Sequence, residues 1–600
     1  MDGLPSYEEP IPPSYPIGEC NEYAKYGQFR SYNYSTLDKD EEIKKNHFQQ
    51  PQFIPNITEI IAHLKLLKAF EKLKQNFTDD SLMNDMDRDK KWRLYLTISV
   101  KRFIIFISAL KSSMPIIQID KLTGVDPRDQ EFTSMTNELT PPLDVIMVWH
   151  AFMLNPMSFY DIFARFDMYY FINYPFPLHI INSYIDDQSY EFKVPEEKKK
   201  KYLAFVGKYA KDIIDYEFEL DVDLSQQFVT LYCPRTKMKI SKPIKLTDFV
   251  DGNFLTKNTG FKFNNIIYDN YTPLTITHDQ LLKIKLDYDV EQPRLLEGSL
   301  KYCSKELSAP GFTDIDPVSL SSKISESVIE SSRQVFRELN AGTPELVEPT
   351  FDEIIQRVEK DSPTLKRKVK ESIIFGNYKH FNMISLTVQG GVQIGEDLVE
   401  CVIRQEKFRN IINELNWLNS PLLKEGLLES LDRYHRFFAL MTKRTDKILV
   451  PTLDIDLVWH THQLMLYGYI RDCKYSPCQT VIDHNDKVQE KTLDYGYDYT
   501  LKLYKEEYGE DYSICFCNYC YSKRNKKLSH VFKSSKKEKD AVRSNPLFVK
   551  DKEGITHPSE HKSVSSFVAC ASRGTLKVSS TNGIAFGPIT TGVHFRKEES

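Results

Sequence analysis

Pro141-Pro142-Leu143-Asp144-Val145-Ile146-Met147-Val148-Trp149-His150 recurs without a gap as Pro451-Thr452-Leu453-Asp454-Ile455-Asp456-Leu457-Val458-Trp459-His460. Self-similarity of this kind marks a duplicated structural unit. Two of the chain's four Trp sit in these segments, so the match does not rest on common residues alone. In the second copy Leu453, Leu457, Leu464 and the bulky Trp459 favour a helix. With Asp454 as its cap, Asp456, His460 and Gln463 share one face at i, i+4 and i+7, and His462 points about 200° away from His460. In an extended segment Asp456, His460 and His462 would instead share one side. The helix is the preferred arrangement.

Outward from the repeat, Arg102-Phe103 and Arg436-Phe437 lie in comparable apolar helices upstream of the two copies. A helical pattern begins after Pro55, with Asn56 as its cap and Ile60, Leu64 and Leu67 on one stripe. Trp92 to Leu110 reads as a second, strongly apolar helix. Residues 156–184 are rich in aromatics and broken by Pro175 and Pro177. Between 218 and 300 the texture turns to alternating and β-branched residues, as in Phe228-Val229-Thr230-Leu231-Tyr232 and Pro273-Leu274-Thr275-Ile276-Thr277. The expected fold is mainly α with a small β insert, an α+β chain of two related helical modules. Its expected parts are a disordered Pro/Tyr-rich arm (1–50), a first module (51–217), the β insert (218–300), a linker (301–322), a second module (323–521) and a basic, largely disordered tail (522–600).

Composition narrows the function. The 600 residues are 41% hydrophobic and 27% charged with a net charge of −5, which fits folded protein and no global attraction to nucleic acid or membrane. Apolar runs fall far short of the roughly 20 residues a membrane span needs. The start is acidic and Pro-rich, unlike a secretory signal, so a cytoplasmic or nuclear location is expected. Ten scattered Cys make no disulfide framework and read as reduced thiols.

The string Asp454-Ile455-Asp456-Leu457-Val458-Trp459-His460-Thr461-His462-Gln463-Leu464 resembles the signature of the glycine-rich domain-containing proteins of plants and fungi, and in particular their fungal branch. The resemblance, extended from Ile57 to Tyr521, implies a mostly helical region, a tie to growth and stress responses in plant members, and no established catalytic activity. The chain departs from the family in one respect. Its 23 Gly leave no Gly-rich tail, so functions attributed to that tail do not carry over.

The first copy is an internal control. It keeps Asp144, Trp149 and His150 but has Ile146, Phe152 and Met153 where the second has Asp456, His462 and Gln463. The shared residues are therefore read as architecture, and any polar site as belonging to Asp456, His460, His462 and Gln463. Asp456 with His460 could orient the imidazole for metal binding or proton transfer. Cys515, Cys517 and Cys520 are a weaker metal candidate, with Cys473, Cys478 or His484 as a fourth ligand. Buried reduced Cys is the preferred reading there, so zinc is a candidate cofactor that is not favoured. Cys233-Pro234-Arg235-Thr236 lacks the second half of a zinc ribbon. Without a phosphate loop or a nucleophile elbow, no common enzyme class gains support and no catalytic residue is assigned.

The arm carries Pro12-Pro13-Ser14-Tyr15, a PPxY ligand of WW domains, and the weaker Leu4-Pro5-Ser6-Tyr7. The expected partner is a WW-domain ubiquitin ligase, with Lys25, Lys39, Lys44 and Lys45 as nearby acceptors. The basic stretch Lys523 to Arg543 lacks the aromatic spacing of a single-strand binder, so nucleic acid is not expected as a partner. The leading expectation is a non-catalytic interaction or adaptor protein. A metal-dependent enzyme or metal-binding protein using the second Trp-His repeat is the alternative.

Overall fold

The computed structural model describes residues 48, 50–78, 85–114, 130–210, 216–220, 224, 227–251, 263–264, 275–292, 295–302, 317–341, 349–360, 365–414, 416–419, 423–445, 447–485, 490–510, 512 and 571–573. The PPxY arm, Cys515, Cys517, Cys520 and the basic stretch lie outside the described residues.

Helices dominate. The first part of the chain forms α1 (Ile57–Thr78), α2 (Asp85–Ser113), α3 (Gln130–Glu138), α4 (Leu143–Met153), α5 (Pro156–Arg165), α6 (Tyr169–Asn173), α7 (Leu178–Ser183) and α8 (Glu196–Val206). A stretch of short strands follows: β1 (Phe228–Val229), β2 (Ile244–Lys245), α9 (Leu246–Asp251), β3 (Phe263–Asn264) and β4 (Thr275–Ile276). Next come α10 (His278–Glu291), α11 (Ser299–Tyr302), α12 (Pro317–Ala341), α13 (Phe351–Lys360) and α14 (Leu365–Lys379). The remainder holds α15 (Leu398–Glu414), α16 (Leu423–Lys443), α17 (Leu453–Gln463), α18 (Leu466–Lys474), β5 (Asp483–Asn485), α19 (Glu490–Tyr508) and β6 (Ala571–Arg573). The strands pair antiparallel as β1 with β2, β3 with β4, and β5 with β6. The chain is thus mainly α with small two-stranded elements. Helix α12 begins at Pro317, inside the stretch expected to be linker. No helix among the described residues is long and apolar enough to cross a membrane.

Helix α1 starts as expected: Asn56 Oδ1 accepts from Glu59 N at 3.0 Å and Glu59 Oε2 from Asn56 N at 2.9 Å, a reciprocal capping box. The two repeat copies are α4 and α17, each joined by a short turn to a second helix, α5 or α18. Helix α4 is apolar nearly all round and packs against α2, α5 and α15. Helix α17 is equally buried, against α16, α18 and α1, although it carries two Asp, two His, a Thr and a Gln. Each buried polar group there calls for a partner. Helix α1 touches α2, α4 and α7 as well as α15, α16 and α17, so the two copies share one continuous apolar core.

The structure changes the register of the repeat upstream of the two copies. Arg102 on α2 reaches Asp144 Oδ2 with Nε at 2.8 Å and donates to the Glu217 and Phe218 carbonyls at 2.9 and 2.6 Å. Its counterpart is Arg433, which pairs with Asp454 and donates to Thr452 Oγ1 at 3.1 Å and to the Tyr512 carbonyl. Four residues on in each helix, Phe106 and Phe437 lie with ring centroids 6.1 Å from Trp149 and Trp459. Arg102 therefore matches Arg433 rather than Arg436, one helical turn from the expected pairing. Arg436 faces outward to Asp432, 2.7 Å away, and to Glu510. Asp454 is consequently the buried partner of Arg433 and not a helix cap; the cap position belongs to Thr452, whose Oγ1 donates to Asp454 Oδ1 at 2.6 Å.

Candidate metal centre

Helical periodicity places Asp456 and His460 one turn apart on α17, with Asp456 Oδ1 3.4 Å from His460 Nε2. A third group comes from β5: His484 Nε2 lies 2.9 Å from His460 Nε2. The candidate ligand atoms of Asp456, His460 and His484 all fall within 4.8 Å of one another. The three side chains are 2%, 0% and 2% exposed. Phe408, with its centroid 4.5 Å from that of His460, and Trp459, 5.0 Å from that of His484, form apolar walls.

The hydrogen bonds fix the state of His484. Its Nδ1 meets the Leu154 carbonyl oxygen at 2.7 Å, and a carbonyl can only accept, so Nδ1 carries the proton and Nε2 presents a lone pair toward His460. A carbonyl behind the distal nitrogen is the arrangement that orients metal-binding imidazoles. Burial holds His460 well below the ordinary imidazole range, and the neighbouring His484, His63 and His150 push the same way. Neutral imidazoles are the ligand form. With Zn–N bonds near 2.0–2.1 Å, tetrahedral geometry sets N to N at about 3.3 Å, so a 2.9 Å pair needs to open by only about 0.4 Å.

His150, the first-copy equivalent of His460, also meets a second imidazole: His63 Nε2 lies 2.8 Å away. Thr461 Oγ1 gives its proton to the Leu457 carbonyl at 2.7 Å, so it accepts from His63 Nδ1–H at 2.8 Å. His63 Nε2 is then an acceptor and His150 Nε2–H the donor. Burial lowers His63 to about 3 and His150 well below its usual value. With Ile146 at the position of Asp456, no carboxylate from α4 joins this pair.

Of the residues expected from sequence, Asp456 and His460 come together as read. His462 stands apart: its Nδ1 is hydrogen-bonded to Tyr434 OH at 2.9 Å and its Nε2 lies 3.1 Å from Asp472 Oδ2. Asp472 also accepts from the Gln52 and Phe53 backbone N–H groups, each at 2.8 Å, and so straps the segment before α1 onto α18. Gln463 is fully buried. His484, read from sequence as one possible fourth ligand for the Cys515 cluster, lies beside Asp456 and His460 of α17. Cys473 and Cys478 have their thiols pushed up by burial, which disfavours the thiolate that binds metal. Sequence reasoning missed His63, although it adjoins Leu64 on the buried stripe of α1.

The family described as Glycine-rich domain-containing protein-like matches residues 377–472, which hold Arg433, Asp454, Asp456 and His460 and end at Asp472. The Arabidopsis thaliana glycine-rich domain-containing protein 2 is 32% identical over 124 residues, 19% of this chain and 15% of that protein. Glycine-rich domain-containing protein 1 of the same plant is 33% identical over 124 residues, 19% of this chain and 14% of that protein. The match thus spans about a seventh of the curated relatives' length, and it is far shorter than the 57–521 span of the expected resemblance. No solved structure gives a significant match. Residues 377–472, with the α17 signature inside them, are similar to the glycine-rich domain-containing protein-like family.

Proposed function

We propose that the folded region is a metal-binding scaffold whose second Trp-His repeat holds one divalent transition-metal ion between Asp456, His460 and His484. The observation that carries the reading is the convergence of a carboxylate and two neutral imidazoles from two separate elements at full burial. An ion there would link α17 to β5, and through His484 to the Leu154 carbonyl of the first copy. The ligand set is one of nitrogen and oxygen, suited to zinc or a neighbouring divalent ion. The role is binding rather than turnover. A ligand bound only by the native state raises its stability by RT ln(1 + [L]/Kd), about 2.7 kcal/mol at a hundredfold excess over Kd. Melting of the wild-type chain with zinc and with chelator tests this. A zinc-dependent rise in wild type that Asp456→Ile abolishes supports the reading. An equal response in both proteins contradicts it.

A second reading concerns the arm. Pro12-Pro13-Ser14-Tyr15 fits a WW domain. In this reading the scaffold is a cytoplasmic adaptor that presents the arm to a WW-domain ubiquitin ligase. Capture of WW proteins by wild type but not by Tyr15→Ala is its test; equal capture removes the arm from the account.

A further inference from the structure

We propose that Gln463 supplies the fourth ligand, its side-chain carbonyl oxygen joining Asp456, His460 and His484 to give a closed site of two oxygens and two imidazole nitrogens. The inference rests on the metal-binding reading above and deepens it.

Its independent support is Gln463 itself. The side chain is 0% exposed, and neither Oε1 nor Nε2 has a hydrogen-bond partner among the described residues. Native interiors seldom leave a buried amide in that condition. Gln463 lies three residues past His460 and seven past Asp456, on the same face of α17. Helical side chains lean toward the N-terminus, so Gln463 extends back over the turn that carries His460.

The first copy supplies the contrast. It retains the imidazole as His150 but replaces the carboxylate with Ile146 and the amide with Met153. Both oxygen donors are therefore absent together where His150 meets only another imidazole on that side. Structural zinc sites are four-coordinate and closed, whereas sites that work on substrates keep a position open. Complete burial of all four side chains fits the closed type. A ligand set without thiolate selects zinc, cobalt and similar divalent ions over copper(I).

Cobalt(II) is the probe, because a four-coordinate tetrahedral ion absorbs intensely in the visible and a hydrated six-coordinate ion weakly. The full-length chain, stripped with chelator, is titrated with cobalt as wild type, as Gln463→Met (the first copy's residue, of similar volume) and as Gln463→Glu (which keeps the oxygen). Wild type is expected to show the intense band. Gln463→Met is expected to bind on the order of 10- to 100-fold more weakly, with the band shifted as water takes the fourth position, and Gln463→Glu to restore the affinity. A structural amide would give no such rescue by glutamate.

An unshifted band and unchanged affinity in Gln463→Met overturn the role of Gln463 while leaving the three-residue site standing. Absence of cobalt binding in wild type overturns both. If Gln463→Met does not fold, Gln463→Glu decides: an intense band with tighter binding supports the fourth ligand, and unchanged affinity overturns it.

Discussion

His484 donates Nδ1–H to the Leu154 carbonyl at the end of α4, across the boundary between the two repeat copies. The first copy thereby sets the orientation of a side chain in the second copy's site. His460→Ala and His150→Ala are both expected to lower the melting temperature, since each imidazole is buried and leaves a hydrogen-bonded partner behind, at about 1–3 kcal/mol. Only His460→Ala should also lose the stabilisation by zinc. Thermal melts of both variants with and without zinc check this, and a preserved zinc response in His460→Ala would exclude that residue from the site.

The two buried Arg–Asp pairs predict a contrast with Arg436. Arg433→Met or Asp454→Leu alone strands a charge and should cost about 3–5 kcal/mol, whereas the double variant should regain much of the loss. Arg436→Ala, which removes the outward-facing pairs with Asp432 and Glu510, should cost no more than about 1 kcal/mol. Denaturant titration of the four proteins measures both effects; an Arg436 variant as damaged as Arg433→Met would restore the register first expected from sequence.

The strap before α1 depends on Asp472 and on the lack of a side chain at Gly468, where a Cβ would come within 2.4 Å of Phe53 Cγ. Asp472→Ala and Gly468→Ala should therefore both speed proteolysis near residues 50–53. Time courses of limited digestion, read by mass spectrometry, would show it. Cleavage at the wild-type rate would mean that the segment is held by other contacts.

Acid should weaken the metal-free fold. Burial lowers His63 to about 3 and His278 to about 4, below the ordinary value of 6.5, so the unfolded chain binds more protons below pH 6.5. Their contribution is full above about pH 6.5 and lost progressively as pH falls toward 4. Asp397, raised to about 6 by burial, works in the opposite direction between its usual 3.8 and 6, and so do Asp144, Asp287, Glu297 and Glu429, whose carboxyls burial also raises. These act mostly below the range in which His63, His150, His179, His278, His435 and His460 take up protons in the unfolded chain. Melting temperature measured in chelator should rise between pH 4.5 and 6.5, as a rough window from those shifts. A flat profile would mean that the imidazoles are not held neutral by the fold.

Much of the architecture was legible in the sequence because it rests on local periodicity: α1 with its Asn56 cap, α2 and the gapless alignment of α4 with α17. The upstream register was not. Arg433-Tyr434-His435-Arg436-Phe437 contains two arginines one turn apart on a helix, and only burial against Asp454 tells which one is the structural residue. Asp456 and His460 were legible because i and i+4 share a helical face whatever surrounds them. His484 and His63 were not, because their roles arise from contacts 24 and 87 residues away along the chain.

Metal stoichiometry of the purified, untagged protein, measured by inductively coupled plasma mass spectrometry beside Asp456→Ile and His484→Ala, tests the central claim most directly. The account predicts about one divalent transition-metal ion per wild-type chain after zinc loading and removal of excess metal, and close to none in either variant. Equal metal content in wild type and both folded variants, or none in any of them, would contradict it.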